Sequence, residues 1–125
     1  MGRSRVRIPC HNRENNMERK EYNGWTNYET WLVSLWMSND EGSYSYWNET
    51  AGEIVKRADD KDEATNTLSE AIKDEHERVT EEKVSEYGLI SDLVNAALCE
   101  VNWHEIAQHY VDDLWGEYHD EEEAA

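Results

Sequence analysis

Apolar residues recur every three or four positions along most of the chain between residues 27 and 118, which is the spacing of one face of an α-helix. Polar or glycine-containing turns interrupt this pattern, and no stretch alternates apolar and polar residues in the manner of a strand. The pattern therefore predicts an all-α fold, a small bundle of four to five helices joined by short loops.

Polar residues that favour helix N-termini precede the apolar stretches. Thr26 followed three positions later by Glu29 has the form of a capping box and predicts a first helix from about residue 27 to residue 39. The acidic run 59–62 precedes the third predicted helix, and Gly52 weakens the second in its middle. The residues predicted to cap the second, fourth and fifth helices are Ser43, Ser91 and Asn102.

Each apolar face is predicted to point into the core. In the first helix this face consists of Tyr28, Trp31, Leu32, Leu35 and Trp36. In the fourth it consists of Leu93, Val94, Ala97, Leu98 and Val101.

Tryptophan is expected to supply most of the large core side chains, because the chain contains six Trp and seven Tyr but no Phe. The six are Trp25, Trp31, Trp36, Trp47, Trp103 and Trp115. Buried indole N–H groups need acceptors, and Asn27, Glu29 and Asn102 stand near helix starts where they could serve. An aromatic platform for stacking bases is excluded by charge, since single-stranded nucleic acid binders need a positive groove. We therefore expect no direct binding of nucleic acid.

Negative charge is concentrated in the part of the chain predicted to fold. Residues 23–125 contain 26 Asp and Glu against 6 Lys and Arg, whereas residues 1–22 contain 6 basic and 3 acidic residues. Such self-repulsion opposes a compact state. A domain that retains such an excess of negative charge either functions in high salt or uses its electrostatic field to attract a partner.

The change of sign also divides the chain. Residues 1–22 are expected to be a flexible basic head, residues 23–119 a single helical domain, and residues 120–125 an acidic tail. Met17 is hypothesised to be the natural start, which would make the residues before it translated leader; the alternative is a basic arm that touches nucleic acid. There is neither a secretory signal nor an apolar run long enough to span a membrane, so we expect a cytoplasmic protein with no membrane partner.

No catalytic or metal-binding signature is present. Glu105 and His109 have a spacing at which metal ligands can share a helix face, but neither a two-histidine zinc motif nor a CxxC pair accompanies them. The sequence contains no phosphate-binding glycine loop and no nucleophile elbow. We therefore expect that the protein is not an enzyme and that it binds neither a cofactor nor a metal ion.

The informative feature is the arrangement of carboxylates on the predicted helices. Carboxylates three or four positions apart lie about 5–6 Å from each other, and such rows can imitate a phosphate backbone. The candidate partner-binding residues form one set around the third helix, which consists of Asp59, Asp60, Asp62, Glu63, Glu70, Asp74, Glu77, Glu81 and Glu82. A second and denser set ends the chain, with Asp112, Asp113, Glu117, Asp120 and Glu121. The alternatives are ordinary solvated faces or adaptation to a saline cytoplasm, although generic surfaces usually mix both signs.

Two motifs carry a resemblance. The segment 23–31, Asn-Gly-Trp-Thr-Asn-Tyr-Glu-Thr-Trp, and the later segment 101–107, Val-Asn-Trp-His-Glu-Ile-Ala, resemble a family of small acidic proteins from phages, plasmids and other mobile elements. The structural positions of these motifs and of the tryptophans between them are Trp25, Thr26, Asn27, Glu29, Trp31, Trp36, Trp47, Asn102 and Trp103. The resemblance covers about residues 22–113 and leaves out the basic head.

The resemblance implies evasion of host defence, and the acidity is similar to that of DNA-mimicking antirestriction proteins. The expected function is a stoichiometric anti-CRISPR or antirestriction inhibitor in the bacterial host cell, which occupies the basic nucleic-acid-binding surface of a CRISPR effector or restriction enzyme. The alternatives are a non-enzymatic adaptor that uses an exposed aromatic patch around Trp25 and Trp31, and a generic acidic protein of a mobile element. The sequence leaves open whether the chain forms a homodimer.

Overall fold

The computed structural model describes residues 21–84 and 88–119, which form five helices. They are α1 (Tyr28–Asn39), α2 (Glu41–Arg57), α3 (Lys61–Lys83), α4 (Leu89–Cys99) and α5 (Trp103–Tyr118). The described residues contain no strand beyond one isolated bridge between Tyr22 and Trp25, so the all-α prediction is confirmed. The basic head up to residue 20 and the tail from residue 120 lie outside the described residues.

The fifth helix packs against α1, α2 and α3, most extensively against α3, and α2 likewise packs against α1, α3 and α5. The fifth helix runs antiparallel to α3: Lys61 at the start of α3 lies near Asp112, while His76 further along lies beside Trp103 at the start of α5. The second helix runs in the same direction as α5, with Gly52 against Tyr118. A Cβ at position 52 would lie 3.0 Å from the Tyr118 hydroxyl, so this glycine makes room for the tyrosine.

The buried core contains fewer aromatic side chains than the sequence predicts. Its fully buried members are mainly aliphatic, and Trp47 is the tryptophan among them. Trp25, Trp103 and Trp115 pack partly buried around this core, whereas Trp36 is 65% exposed. The prediction that all six tryptophans fill the interior is therefore wrong for Trp36.

Asn27 caps α1 and Asp40 caps α2, one and three residues away from the predicted capping residues Thr26 and Ser43. Asp40 also ends α1, so a single aspartate forms the whole connection between the two helices. Its carboxylate accepts a hydrogen bond from the backbone N–H of Ser43. A short polar side chain can accept hydrogen bonds from the unpaired backbone N–H groups at a helix start. A single capping residue is therefore sufficient to connect the two helices.

Side-chain hydrogen bonds connect the two sequence motifs. The side chain of Asn27 donates to the Glu100 carbonyl and accepts from the backbone and hydroxyl groups of Thr30. The Thr30 hydroxyl in turn accepts a hydrogen bond from the backbone N–H of Asn102, and Glu105 accepts one from the backbone N–H of Thr26. We call these six residues the clasp. Because the asparagines bond the backbone and hydroxyls, they do not act as the indole acceptors that the sequence suggested.

The first helix is rotated relative to the prediction. Its buried residues are Thr30, Ser34 and Met37, on the side opposite the predicted apolar stripe. Tyr28 and Trp36 of that stripe are exposed, and Trp31 is only partly covered, in contact with Tyr22 and Tyr28. The clasp accounts for this orientation, because it needs Thr30 to face α5 and thereby turns the aromatic stripe outward.

The fourth helix packs only lightly on the other four. Ser91 is buried in its first turn and does not cap it, while Leu89, Ile90 and Leu93 are exposed. Ala97 is exposed as well, so the predicted inward face of this helix is wrong at Leu93 and Ala97. None of the described helices is both long and apolar enough to cross a membrane.

Candidate functional site

Negative charge is distributed unevenly over the helices. Eight acidic residues lie on α3, whereas α1 and α4 carry one each. Glu29 of α1 is partly buried, and Asp92 of α4 is exposed. The negative charge is therefore concentrated on α3 and its preceding turn, whereas α1 and α4 contribute little to it.

The outer face of α3 carries a row of carboxylates. Since Ala64, Leu68 and Ile72 of α3 are fully buried, the residues half a turn away point outward. At these positions are five acidic residues, which we call the α3 stripe: Glu63, Glu70, Asp74, Glu77 and Glu81. All are exposed except Glu77, which is half-buried. Steps of three, four and seven residues keep them in one line.

Some of the predicted partner-binding residues have local structural roles. The Asp60 side chain caps α3 by accepting from the backbone N–H of Glu63, and Glu63 accepts from the backbone N–H of Asp59. These two carboxylates thus form a reciprocal cap that any acidic helix start would favour. Asp62, also in the first turn, is exposed.

Basic side chains neutralise part of the surface. Arg78 forms ion pairs with Glu75 and Glu82, and its hydrogen bond lowers the pKa of Glu75. The Lys61 ammonium lies 3.7 Å from the Asp112 carboxylate and thereby connects the start of α3 to α5. Glu82 and Asp112 are consequently paired rather than open to a partner.

The structure separates the neighbours Asp112 and Asp113. The first faces Lys61 on α3, whereas the second lines a cleft between α1, α2 and α5. Adjacent helical residues point about 100° apart, which is the reason for the difference. Glu117 is exposed one turn further on, and Asp120 and Glu121 lie outside the described residues. The second predicted set is therefore not one continuous row.

The cleft beside Asp113 was not predicted from the sequence. It has a volume of about 280 Å³ and is lined by Trp25, Ser34, Ser38, Tyr44, Asn48, Ile106, His109, Tyr110 and Asp113. Trp25 stacks on His109 at a centroid distance of 4.2 Å. Burial, followed by the nearby Tyr44 and Asp113, raises the pKa of Tyr110 to about 12.

Two histidines of the described residues, His76 and His119, take part in helix packing. His76 donates to the Ile72 carbonyl and stacks between Trp47 and Trp103, while His119 donates to the Val55 carbonyl and stacks on Trp115. Within residues 21–84 and 88–119, no three His, Cys, Asp or Glu side chains are close enough together to hold a metal ion.

Comparison with known families gives one match, over residues 18–121, to DUF7249, a family of unknown function. The chain belongs to this family. No curated protein and no solved structure matches it. The matched range contains all five described helices and both motifs, so the clasp and the α3 stripe lie inside the family's domain.

Sequence reasoning missed two surfaces of this DUF7249 domain. One is the outward aromatic face of α1, where Tyr28 and Trp36 are exposed. The other is the cleft, which no pattern within a single helix indicates, because its lining comes from Trp25, α1, α2 and α5.

Proposed function

We propose that this chain is a stoichiometric anti-CRISPR or antirestriction inhibitor, which binds the basic nucleic-acid-binding surface of a bacterial defence complex through the α3 stripe. The observation that supports the proposal most is the alignment of five outward carboxylates on one rigid helix. The protein would act in the cytoplasm of the bacterial host and bind the complex in place of nucleic acid.

The dimensions of the stripe agree with mimicry of one strand. From Glu63 to Glu81 the helix rises about 27 Å, so the five carboxylates are spaced roughly 7 Å apart along the axis on average. One strand of duplex DNA carries a phosphate every ~3.4 Å of axis. The stripe thus has about half of the linear charge density of one strand. Asp59 and Asp62, exposed at the start of α3, extend the charge beyond its end.

Rigidity favours this use of the stripe. Ala64, Leu68 and Ile72 anchor α3 along its inner face, and the reciprocal cap of Asp60 and Glu63 fixes its start. Carboxylates held by a packed helix lose little conformational freedom when they meet a partner, which strengthens binding. Charge complementarity would also accelerate association and make it sensitive to salt.

A plating assay tests the proposal. The chain is expressed in bacteria that carry one defined CRISPR or restriction system each, and the plating efficiency of a targeted phage is measured. We expect at least one system to be inhibited. The variant E70Q/D74N/E77Q, which removes three charges from the α3 stripe, should reduce this effect about tenfold or more.

The matched control is E21Q/E49Q/D92N. It removes the same three charges from exposed positions outside the stripe, so it keeps the net charge of the test variant. Equal loss in both variants would assign the effect to net charge alone. Unchanged plating in every host, with the folded protein present, would contradict an anti-defence role.

The second candidate function is a non-enzymatic adaptor that recruits a partner through aromatic side chains. The observation that favours it is the outward face of α1, where Trp36 is 65% exposed and Tyr28 also contacts solvent. The patch lies on this face and not around Trp25, which packs on His109. Trp36→Ala should then abolish function in a folded protein, while E70Q/D74N/E77Q should leave it unchanged.

A further inference from the structure

The cleft between α1, α2 and α5 has aromatic walls. Trp25, Tyr44, His109 and Tyr110 contribute four rings to its lining. The Trp25 and His109 rings are stacked, which fixes both. The ring faces of Trp25, Tyr44 and Tyr110 are of the kind that attract cations, tryptophan most strongly.

The same cleft contains an anionic group at its edge. Asp113 is exposed and forms no hydrogen bond or ion pair with any described residue, unlike its neighbour Asp112. Neither lysine nor arginine is among the described residues that line the cleft. Tyr44, Tyr110 and Asp113 line the same cleft, and burial, followed by the nearby Tyr44 and Asp113, raises the pKa of Tyr110.

The serines of the cleft favour an electropositive ligand as well. The Ser34 hydroxyl donates to the Trp31 carbonyl, and the Ser38 hydroxyl donates to the Ser34 carbonyl. Both protons are therefore engaged within α1, which leaves the hydroxyl oxygens as acceptors only.

We propose that this cleft binds one organic cation, an alkylammonium or guanidinium group of the size of a lysine or arginine side chain. The ring faces attract the positive charge, Asp113 neutralises it, and the field of a chain with net charge −17 concentrates cations nearby. A volume of about 280 Å³ lies just below the ~300–1,000 Å³ of typical ligand pockets, so a side chain or small amine fits better than a cofactor.

The inference does not depend on the defence inhibitor proposed above. A free amine and a basic side chain of a partner protein present the same chemical group. If the partner is a basic protein, the cleft adds one specific anchoring pocket to the diffuse attraction of the α3 stripe.

The direct test is an NMR titration of the full chain at constant ionic strength. The probes are n-butylammonium and n-butylguanidinium, with 1-butanol as the neutral control. We expect saturable binding in the millimolar range that shifts the Trp25 indole and the backbone signals of Ser34 and Asp113. Butanol should be at least tenfold weaker.

Two matched pairs of variants locate the site. Asp113→Asn should weaken the binding of n-butylammonium about tenfold. Asp112→Asn removes the same charge at the adjacent position and should change the affinity less than twofold. Tyr44→Leu should weaken binding several-fold, while Tyr46→Leu should not. Tyr44 and Tyr46 are each 51% exposed, but Tyr46 lies against Trp47 and not in the cleft.

A capped Gly-Lys-Gly peptide distinguishes the sources of the cation. Binding of this peptide at least as tight as that of n-butylammonium assigns the cleft to a protein side chain. Binding of the free amine alone assigns it to a small molecule, and both results support the cation chemistry.

The inference is overturned by equal weakening in Asp112→Asn and Asp113→Asn, by butanol binding as tightly as the amines, or by absence of saturable shifts. The variant E70Q/D74N/E77Q should bind n-butylammonium as the unmodified chain does. A negative result for the α3 stripe in the plating assay and a negative result for the cleft in the NMR titration can therefore be told apart.

Discussion

Asn27 is the residue with the most connections between the two motifs. It is buried, it caps α1, and its side chain joins α1 to the carbonyl of Glu100 at the end of α4. Three polar groups would lose their partner without it: the backbone N–H and hydroxyl of Thr30 and the carbonyl of Glu100. The polar residues Thr26, Asn27 and Thr30 of the first motif are thus explained by folding.

Asn27→Ala should therefore lower the free energy of unfolding by about 2–4 kcal/mol, since loss of the cap costs about 1 and unsatisfied buried groups cost about 1–3. Urea denaturation followed by circular dichroism measures it. Asn66→Ala is the control, because Asn66 is exposed inside α3 and alanine favours a helix. A change below about 0.5 kcal/mol in Asn27→Ala would show that the clasp contributes little.

The burial of Tyr110 makes the folding stability of the bundle depend on pH. Burial raises the pKa of its hydroxyl in the folded state to about 12, above the ordinary value of about 10 in the unfolded chain. Below pH 10 both states hold the proton, and this stabilising contribution is fully present. Between pH 10 and 12 the unfolded state releases the proton first, so folding stability falls as pH rises.

Tyr110→Phe should remove this part of the alkaline destabilisation. The melting temperatures of the two proteins should diverge between pH 10 and 12, with the unmodified chain falling more steeply. Tyr46→Phe controls for tyrosine titration in general and should follow the unmodified chain. Parallel curves for all three proteins would contradict a raised pKa at Tyr110.

At the scale of the element, α1 shows how a local pattern can be overruled. Its aromatic stripe has helical spacing, yet the buried side is Thr30, Ser34 and Met37. The helix is held by polar contacts at its start and by one long apolar side chain near its end. Its outward aromatic face is available for a partner, which is what the adaptor alternative needs.

Trp36 and Trp47 should consequently differ in their effect on stability. Trp47 is 4% exposed, so Trp47→Ala should cost about 3–5 kcal/mol, whereas Trp36→Ala should stay within about 0.5 kcal/mol. Urea denaturation of both variants makes the comparison. A large loss in Trp36→Ala would mean that this side chain packs in solution against a surface of the chain or of a second copy.

At the scale of the whole molecule, the acidic excess opposes folding. Few ion pairs offset it among the described residues, and all of them involve partly exposed side chains, which contribute little. The stability of the bundle therefore depends on its aliphatic core and on screening of the carboxylates by salt.

Raising NaCl from 20 to 500 mM should increase the melting temperature by about 5 °C, which corresponds to roughly 1 kcal/mol for a domain of this size. E70Q/D74N/E77Q should melt higher at low salt and respond less to NaCl, because three of the repelling charges are gone. Differential scanning calorimetry measures both. A melting temperature that does not depend on salt would show that the carboxylates are too far apart to repel.

Helical periodicity was sufficient to predict the five helices, and the third is the clearest case. Ala64, Leu68 and Ile72 recur every four positions in the sequence, which is the spacing of one helix face, and all three are fully buried. The prediction worked because α3 is long and has a single apolar stripe, so that burying it leaves one choice of orientation. The carboxylates on its opposite side follow from the same geometry.

The cleft could not be predicted, because its walls come from residues far apart in sequence. Trp25, Tyr44 and Tyr110 meet there because α1 and α2 dock on the same part of α5. Asp112 and Asp113 looked equivalent in the sequence. The packing of α3 on one side and of α2 on the other made one of them an ion-pair partner and the other a cleft residue.

The sequence by itself determined the helical fold, the excess of negative charge and the outward carboxylates of α3, because these depend on spacing within one helix. Only the tertiary structure decided that α1 turns its aromatic stripe outward, that the motifs form a clasp, and that Asp113 borders an aromatic cleft. Those features depend on contacts between helices, and the energy of such contacts is set by which partners meet and not by the pattern of either helix alone.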